Sequence, residues 1–245
     1  MKGYIRFTNG IVSIEEMQAF TWRPLDEDDP LMRKFRNKEH AHIEKFFSIL
    51  IFLRGGQKFM TATTKNNLND IKPFVTINPF TSERINNYRE WDYDNYGTIA
   101  EYLFNEYSIK TVFIGKTTEE RKSSFQKHLN ISSRTLNLVN KTTLGEMLSV
   151  LKMSKFYIGP DSGTLHMANM LALPIIGLYA TSNPQRTGPY SNLEYTVDKY
   201  EKAILKFSKK SIEKMKWGER VRDKGAMKLI LLDDVKLMIK KILSN

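Results

Sequence analysis

Cysteine is absent from this 245-residue chain. Disulfides, thiol nucleophiles and Cys-ligated zinc are therefore excluded. Histidine is scarce, with four copies at His40, His42, His128 and His166. None sits at metal-ligand spacing with carboxylates, and no metal site is expected; His40 and His42, two apart, do not share a helix face. No apolar run approaches the roughly 20 residues that cross a bilayer, and no apolar signal-peptide core follows Met1. The expectation is a cytoplasmic protein of a reducing compartment. No internal repeat or low-complexity tract is visible, and no Gly-rich turn of the G-x-G-D type opens the chain.

What is present is ordinary globular composition, 41% hydrophobic and 27% charged, enough for one large or two small domains with a real core. The net charge of +11 is unevenly spread. Glu201 to Asn245 holds thirteen Lys/Arg against six Asp/Glu, a net +7 in the last 45 residues. Such a segment suits anionic surfaces, either nucleic acid or lipid headgroups, or it is a solvated face. Aromatics that would stack on bases are confined there to Phe207 and Trp217, so a nucleic-acid partner is not expected. Peripheral contact with the anionic face of an inner membrane is the partner this charge suggests.

The stretch Phe156–Ser191 organises the chain. Phe156-Tyr157-Ile158 reads as a buried strand, broken by Gly159 and Pro160. Asp161 and Ser162 are good N-cap residues, and Gly163 keeps the turn open. Thr164 to Ala172 reads as a short helix with Leu165, Ala168 and Ala172 on one face, ended by Pro174. Ile175 to Tyr179 is a second buried strand, and Ala180 to Ser191 is a polar loop. Strand, loop, helix, strand is one βαβ step of an α/β sheet. Its helix N-terminus presents free N–H groups and a positive dipole end beyond the carboxyl end of a strand. Ser162 and Gly163 let a phosphate come close, and Thr181, Ser182, Thr187 and Gly188 add small polar groups from the adjacent loop. Plainer roles are open too: turn residues at Asp161 and Gly163, local packing at His166, loop surface at Arg186 and Tyr190.

The order D-S-G-T-x-H, short helix, L-P-x-I-x-L-Y, S-x-P-x-R-T-G-P-Y resembles the C-terminal domain of glycosyltransferase family 9, the ADP-heptose:lipopolysaccharide heptosyltransferases. That likeness implies a Rossmann-like α/β parallel-sheet domain of the GT-B type. It also implies a nucleotide-sugar site at Asp161, Ser162, Gly163, Thr164 and His166. Further upstream, Pro73 opens the domain and Phe74–Ile77 is its first strand. In the family, the loop after this strand, here with Thr81 and Ser82, bonds the nucleotide diphosphate, and a nearby Lys supports it. Arg89 stands in that neighbourhood, beside Trp91, and can hold a phosphate bidentately; the alternative is a surface pair with Glu90 or Asp92. A helix from Tyr93 to Tyr107 follows, then a strand Thr111–Gly115. Thr117 falls where the family carries a nucleoside-contacting acid, with Glu119 and Glu120 just beyond and a helix from Glu119 to about Leu129. After a short strand, Leu136–Leu138, Asn140 to Thr143 forms a loop. Thr143-x-x-Glu146 fits a capping box for a helix Leu144–Met153. In the family the start of this helix flanks the base, and the likeness adds Thr142, just before it, to the nucleotide-sugar site.

Residues 1–70 are expected to be a remnant of an N-terminal acceptor domain plus linker, residues 71–226 the nucleotide-sugar domain, and residues 227–245 a C-terminal helix. Tyr4–Phe7 reads as a strand ending at the turn signal Asn9-Gly10. Pro24 to Pro30 is a loop, Glu39 to Leu53 a helix with Ile43, Phe46, Phe47, Leu50 and Leu53 on one face, and Lys58 to Lys72 a linker. Its run HIEKFFSIL, His42 to Leu50, resembles the helix ending the family's first domain. Met227 to Leu243 reads as one amphipathic helix, which the likeness would have return to brace the first domain. The family's Gly-rich loop with its basic Asp has no counterpart near Met1, since Asp26, Asp28 and Asp29 lie in a Pro-bounded loop. The catalytic base is therefore unassigned, and a fragment, poor at transfer on its own, is expected. The resemblance implies an inverting, metal-independent transfer of heptose from ADP-heptose to a lipopolysaccharide core precursor, with no cofactor beyond the donor. The alternatives are a non-catalytic sugar-nucleotide-binding module completed by a partner chain and, third, a nucleic-acid binder driven by the basic tail.

Overall fold

Short apolar strands with side chains alternating between two faces decide this architecture. The structure, a computed structural model, describes residues 4–7, 10–13, 68, 71–82, 88–129, 134–215 and 218–244. The expected helix Glu39–Leu53, the Pro24–Pro30 loop with its aspartates, most of the linker and Trp217 lie outside them. The strands are β1 (Tyr4–Phe7), β2 (Gly10–Ser13), β3 (Phe74–Ile77), β4 (Lys110–Phe113), β5 (Thr135–Asn137), β6 (Tyr157–Pro160), β7 (Ile175–Tyr179) and β8 (Val197–Asp198). The helices are α1 (Tyr93–Tyr107), α2 (Glu119–Lys127), α3 (Leu144–Met153), α4 (Gly163–Met170), α5 (Pro184–Thr187), α6 (Tyr200–Ala203) and α7 (Leu232–Leu243). β1 and β2 pair antiparallel, Tyr4 opposite Ser13 and Phe7 opposite Gly10.

The other six strands form one sheet in the order β5-β4-β3-β6-β7-β8, parallel throughout. The Rossmann-like expectation is met. Both faces are covered, as a parallel sheet requires. Val75, Ile77, Phe113, Ile158, Ile176 and Leu178 face one layer with Tyr96, Ile99 and Leu103 of α1, Phe125 of α2 and Val235 and Ile239 of α7. Phe74, Val112, Tyr157, Ile175 and Tyr179 face the other, with Met147, Val150 and Leu151 of α3 and Leu165 and Ala168 of α4. Leu68, in the stretch read as linker, is buried in this second layer. No helix among the described residues is long and apolar enough to cross a membrane.

Three elements differ from the sequence expectation, each for a local reason. β6 runs on through Gly159 and Pro160, which pair with Gly177 and Leu178 of β7. On the other side its pairing with β3 stops at Ile158, so the missing proline N–H falls where no ladder bond is needed. The loop after β7 contains α5 and a 3₁₀ turn at Tyr190–Tyr195; Asn183 caps α5 by accepting from Gln185 N, and Pro184 opens it, an N-cap and N1 pair that favours helix. The terminal helix starts at Leu232 rather than Met227. A 3₁₀ turn occupies Ala226–Leu229, and the Leu231 amide donates to the Asp234 carboxylate at 2.9 Å.

That break is tied to Trp91, which is 1% exposed. Its indole N–H donates to the Ile230 carbonyl at 2.9 Å, and its ring meets Tyr96 edge to face. Trp91 thus locks the C-terminal segment to α1. Trp91→Phe should cost about 1 kcal/mol by orphaning that carbonyl, and Trp91→Ala about 3–5 kcal/mol through the cavity left. Urea unfolding, with midpoint and slope compared, checks both.

Candidate functional site

The strand order reverses between β3 and β6. From β3 the chain builds outward to β4 and β5, then crosses back to β6 and builds the other way. The loops at the carboxyl ends of β3 and β6 therefore diverge and leave a crevice, the usual ligand position in an open α/β sheet. A cleft of about 690 Å³ opens there, lined by residues from the loops after β3, β4, β5 and β6.

Each wall is set locally. After β3, the Asn78 side chain accepts from Phe80 N at 3.0 Å, making a tight Asx turn. Thr81 N and Oγ1 both donate to Glu90 Oε1, at 2.6 and 2.9 Å, and Arg121 pairs with the same carboxylate. After β4 comes Gly115 with φ +131°; a Cβ there would meet Asn78 Oδ1 at 2.5 Å and Phe80 at 2.9 Å, so only glycine fits. The next turn is clamped by Asn140. Its Oδ1 accepts from Thr117 N at 2.9 Å, its Nδ2 donates to Thr117 O at 2.8 Å, and its own N–H donates to Gly115 O. After β5, Thr143 and Glu146 form the expected capping box on α3, and those bonds hold the Glu146 carboxyl below its ordinary range. Leu144, 52% exposed, joins Met147 and Met167 as an apolar wall.

After β6, Ser162 caps α4 by accepting from Leu165 N. Gly163 follows at the first position of the helix, and a Cβ there would meet nothing within 4 Å. The backbone at this N-terminus is thus open to the cleft, where unsatisfied N–H groups favour an anion.

Behind that turn lies Asp161, buried. Its Oδ2 accepts from Ser182 Oγ at 2.9 Å and Thr187 Oγ1 at 3.3 Å. Arg89 approaches it at 3.4 Å, Arg220 at 4.0 Å, and His166 lies 3.8 Å from Oδ1. Arg89 also donates to the Asp161 carbonyl at 2.8 Å and to Ser82 Oγ at 3.3 Å. It is a strut between the β3 and β6 loops rather than a partner of Glu90 or Asp92; Glu90 is taken by Arg121. Burial raises the Asp161 pKa, but His166, Arg89 and Arg220 overcome that and bring it down to about 2.

Seven of the residues expected at the site line the cleft: Thr81, Ser82, Thr117, Thr142, Ser162, Gly163 and Thr164. Arg89, Asp161 and His166 form the charged cluster beside it. Thr81 and Thr117 have their amides committed to Glu90 and Asn140, which leaves them to shape the walls. Sequence reasoning did not single out Asn78, Phe80, Gly115, Lys116, Leu144, Met147 and Met167, which also line it. A glycine directly after a strand was the available signal for Gly115; the methionines read only as helix faces. Arg220 was missed because it lies some 60 residues from Asp161 in a segment read as a diffuse basic stretch.

Because the folded pKa of Asp161 lies below its ordinary 3.8, its contribution to stability is complete above that value and is lost as pH falls through about 2. Asp161→Asn should destabilise at neutral pH by roughly 3 kcal/mol, since it leaves the largely buried Arg89 guanidinium uncompensated. The gap between the two proteins should narrow by about 2 kcal/mol between pH 5 and pH 2. Chemical unfolding across that range tests the sign.

Residues 55–216 match the family model of glycosyltransferase family 9 (heptosyltransferase). Lipopolysaccharide core heptosyltransferase OpsX of Haemophilus influenzae is 28% identical over 155 residues, covering 63% of this chain and 44% of that protein. A glycosyl transferase of family 9 from Veillonella parvula shares the fold at 22% identity and TM-score 0.53, covering 76% of this chain and 50% of the other. E. coli ADP-heptose lps heptosyltransferase II does so at 18% and 0.53, covering 82% and 51%. The chain thus spans about half the length of the relatives it matches. With the motif order, the sheet order and the crevice in agreement with the match, this chain belongs to glycosyltransferase family 9, the heptosyltransferases.

Proposed function

We propose that the cleft binds ADP-heptose and that this chain supplies the donor-binding part of a heptosyltransferase acting on a lipopolysaccharide core precursor. The observation carrying the reading is the open N-terminus of α4, at Ser162, Gly163 and Thr164, facing a cleft of about 690 Å³. That volume suits a nucleotide sugar. The apolar wall of Leu144, Met147 and Met167 takes the adenine face. The Gly115–Thr118 turn and the Thr142 loop flank the nucleoside, and the helix N-terminus receives the diphosphate.

The reaction is a single displacement with inversion. An acceptor hydroxyl, deprotonated by a base on the acceptor side, attacks the anomeric carbon while the bond to the diphosphate oxygen breaks and ADP departs. This chain's own contribution is to stabilise the growing charge on the leaving diphosphate with backbone N–H groups and the helix dipole. Neither a metal nor a cofactor beyond the donor enters the proposal. The stretch before the linker is assigned to the acceptor side, and the site of action to the cytoplasmic face of the inner membrane, reached by peripheral contact.

Calorimetric titration with ADP is the first test. Gly163 has no left-handed backbone and open space at its Cβ, so Gly163→Val should fold normally and place a side chain where the phosphate must sit. An ADP affinity at least tenfold weaker at unchanged thermal midpoint is expected; unchanged affinity in the folded variant rules the placement out. Incubation with ADP-heptose and a heptose-free core acceptor then separates transfer from binding alone: ADP binding without turnover favours the binding-module reading.

A further inference from the structure

We infer that Lys116 is a phosphate-contacting residue of the cleft, its ammonium meeting the diphosphate of the bound nucleotide. The inference rests on the donor-site reading above and adds to it a full positive charge, which the helix N-terminus by itself does not supply.

Among the described residues, Lys116 is the only ionisable one that lines the cleft. The rest of the lining is hydroxyl, amide, glycine and apolar. The helix end at Gly163 offers N–H groups and only about half a positive charge, whereas a diphosphate carries more than one negative charge. The two nearby arginines do not make up the difference. Arg89 is directed at the Asp161 carbonyl, the Asp161 carboxylate and Ser82, Arg220 faces the same carboxylate, and neither lines the cleft.

The backbone is fixed on both sides of Lys116. Gly115 O accepts from Asn140 N, and Thr117 N and O are both bonded to the Asn140 side chain. The Lys116 side chain is exposed and makes no hydrogen bond or ion pair with any described residue. The adjacent acid Glu119 is committed to Lys122 and Asn140. Reach agrees with the role. β4 stands two places from β6, across β3, roughly 10 Å at about 4.8 Å per strand. A diphosphate at the N-terminus of α4 extends into that span, and lysine's flexible four-carbon stem can carry its point charge to it. The turn's backbone still flanks the nucleoside, and only the ammonium passes on to the phosphates. As the bond to the sugar breaks, the same ammonium stabilises the charge growing on ADP.

The test compares ADP and adenosine binding to wild-type protein and to Lys116→Gln, by calorimetry. ADP affinity should fall about tenfold to a hundredfold, the usual effect of a lost charge-assisted bond. Adenosine affinity and the thermal midpoint should stay as in wild type, since the side chain holds no other described part of the fold. Lys116→Arg, which keeps the charge, should retain most of the ADP affinity. Wild-type protein that binds no ADP overturns the donor-site reading and this inference with it. Wild-type binding with unchanged ADP affinity in Lys116→Gln overturns this inference alone, as does an equal loss for adenosine, which would place the ammonium on the nucleoside.

Discussion

The Asp161 carboxylate is the interaction on which the candidate site depends. A single buried carboxylate receives hydroxyls from Ser182 and Thr187 and faces the Arg89 and Arg220 guanidiniums and the His166 ring. Stripping water from a carboxylate costs several kcal/mol, and that cost is offset only when its lone pairs and its charge are both answered. Here they are answered from five positions on four separate stretches of chain. The consequence is mechanical as much as electrostatic. The loops after β3, β6 and β7 and the crossing segment at Arg220 are drawn to one point, with the helix N-terminus of α4 set directly beside it.

A second layer of polar clamps makes the rest of the cleft. Glu90 holds the Thr81 turn and is itself answered by Arg121. Asn140 closes a ring of bonds around the Gly115–Thr117 turn. Glu90 satisfies a backbone group within its own loop and Asn140 those of the neighbouring loop, so both turns are held without forming regular structure. Preorganisation of this kind limits the ordering entropy that a ligand must offset on binding. It also explains why several polar residues at the mouth are committed to protein partners, while the helix end at Gly163 stays open.

Much of the fold could be read from the chain. The strands at Phe74–Ile77 and Ile175–Tyr179 are short apolar runs bounded by Gly, Pro or polar turns, and α1 and α3 have the boundaries their periodicity and caps imply. The errors came where a local signal competed with pairing or packing. Pro160 breaks an isolated strand, yet is tolerated where only one neighbour remains. Ile230 belongs to a helical pattern, yet its carbonyl is taken by the Trp91 indole far upstream. The loop after β7 carries an Asn183-Pro184 helix start within an otherwise loop-like polar run.

By itself, the sequence determined the parallel α/β class, the phosphate-suited turn at Asp161–Thr164 and the small polar residues at the ends of successive strands. Those features are local: they follow from backbone propensity, from apolar runs and from the geometry of a capped helix. Tertiary structure alone decided which charges meet. Arg89 and Arg220 lie 72 and 59 positions from Asp161 along the chain, and nothing in their own neighbourhoods foretells that both approach the same carboxylate. They converge only when the sheet order brings the two loops and the crossing segment together, because which charges meet is a property of the packed site and not of the residue type.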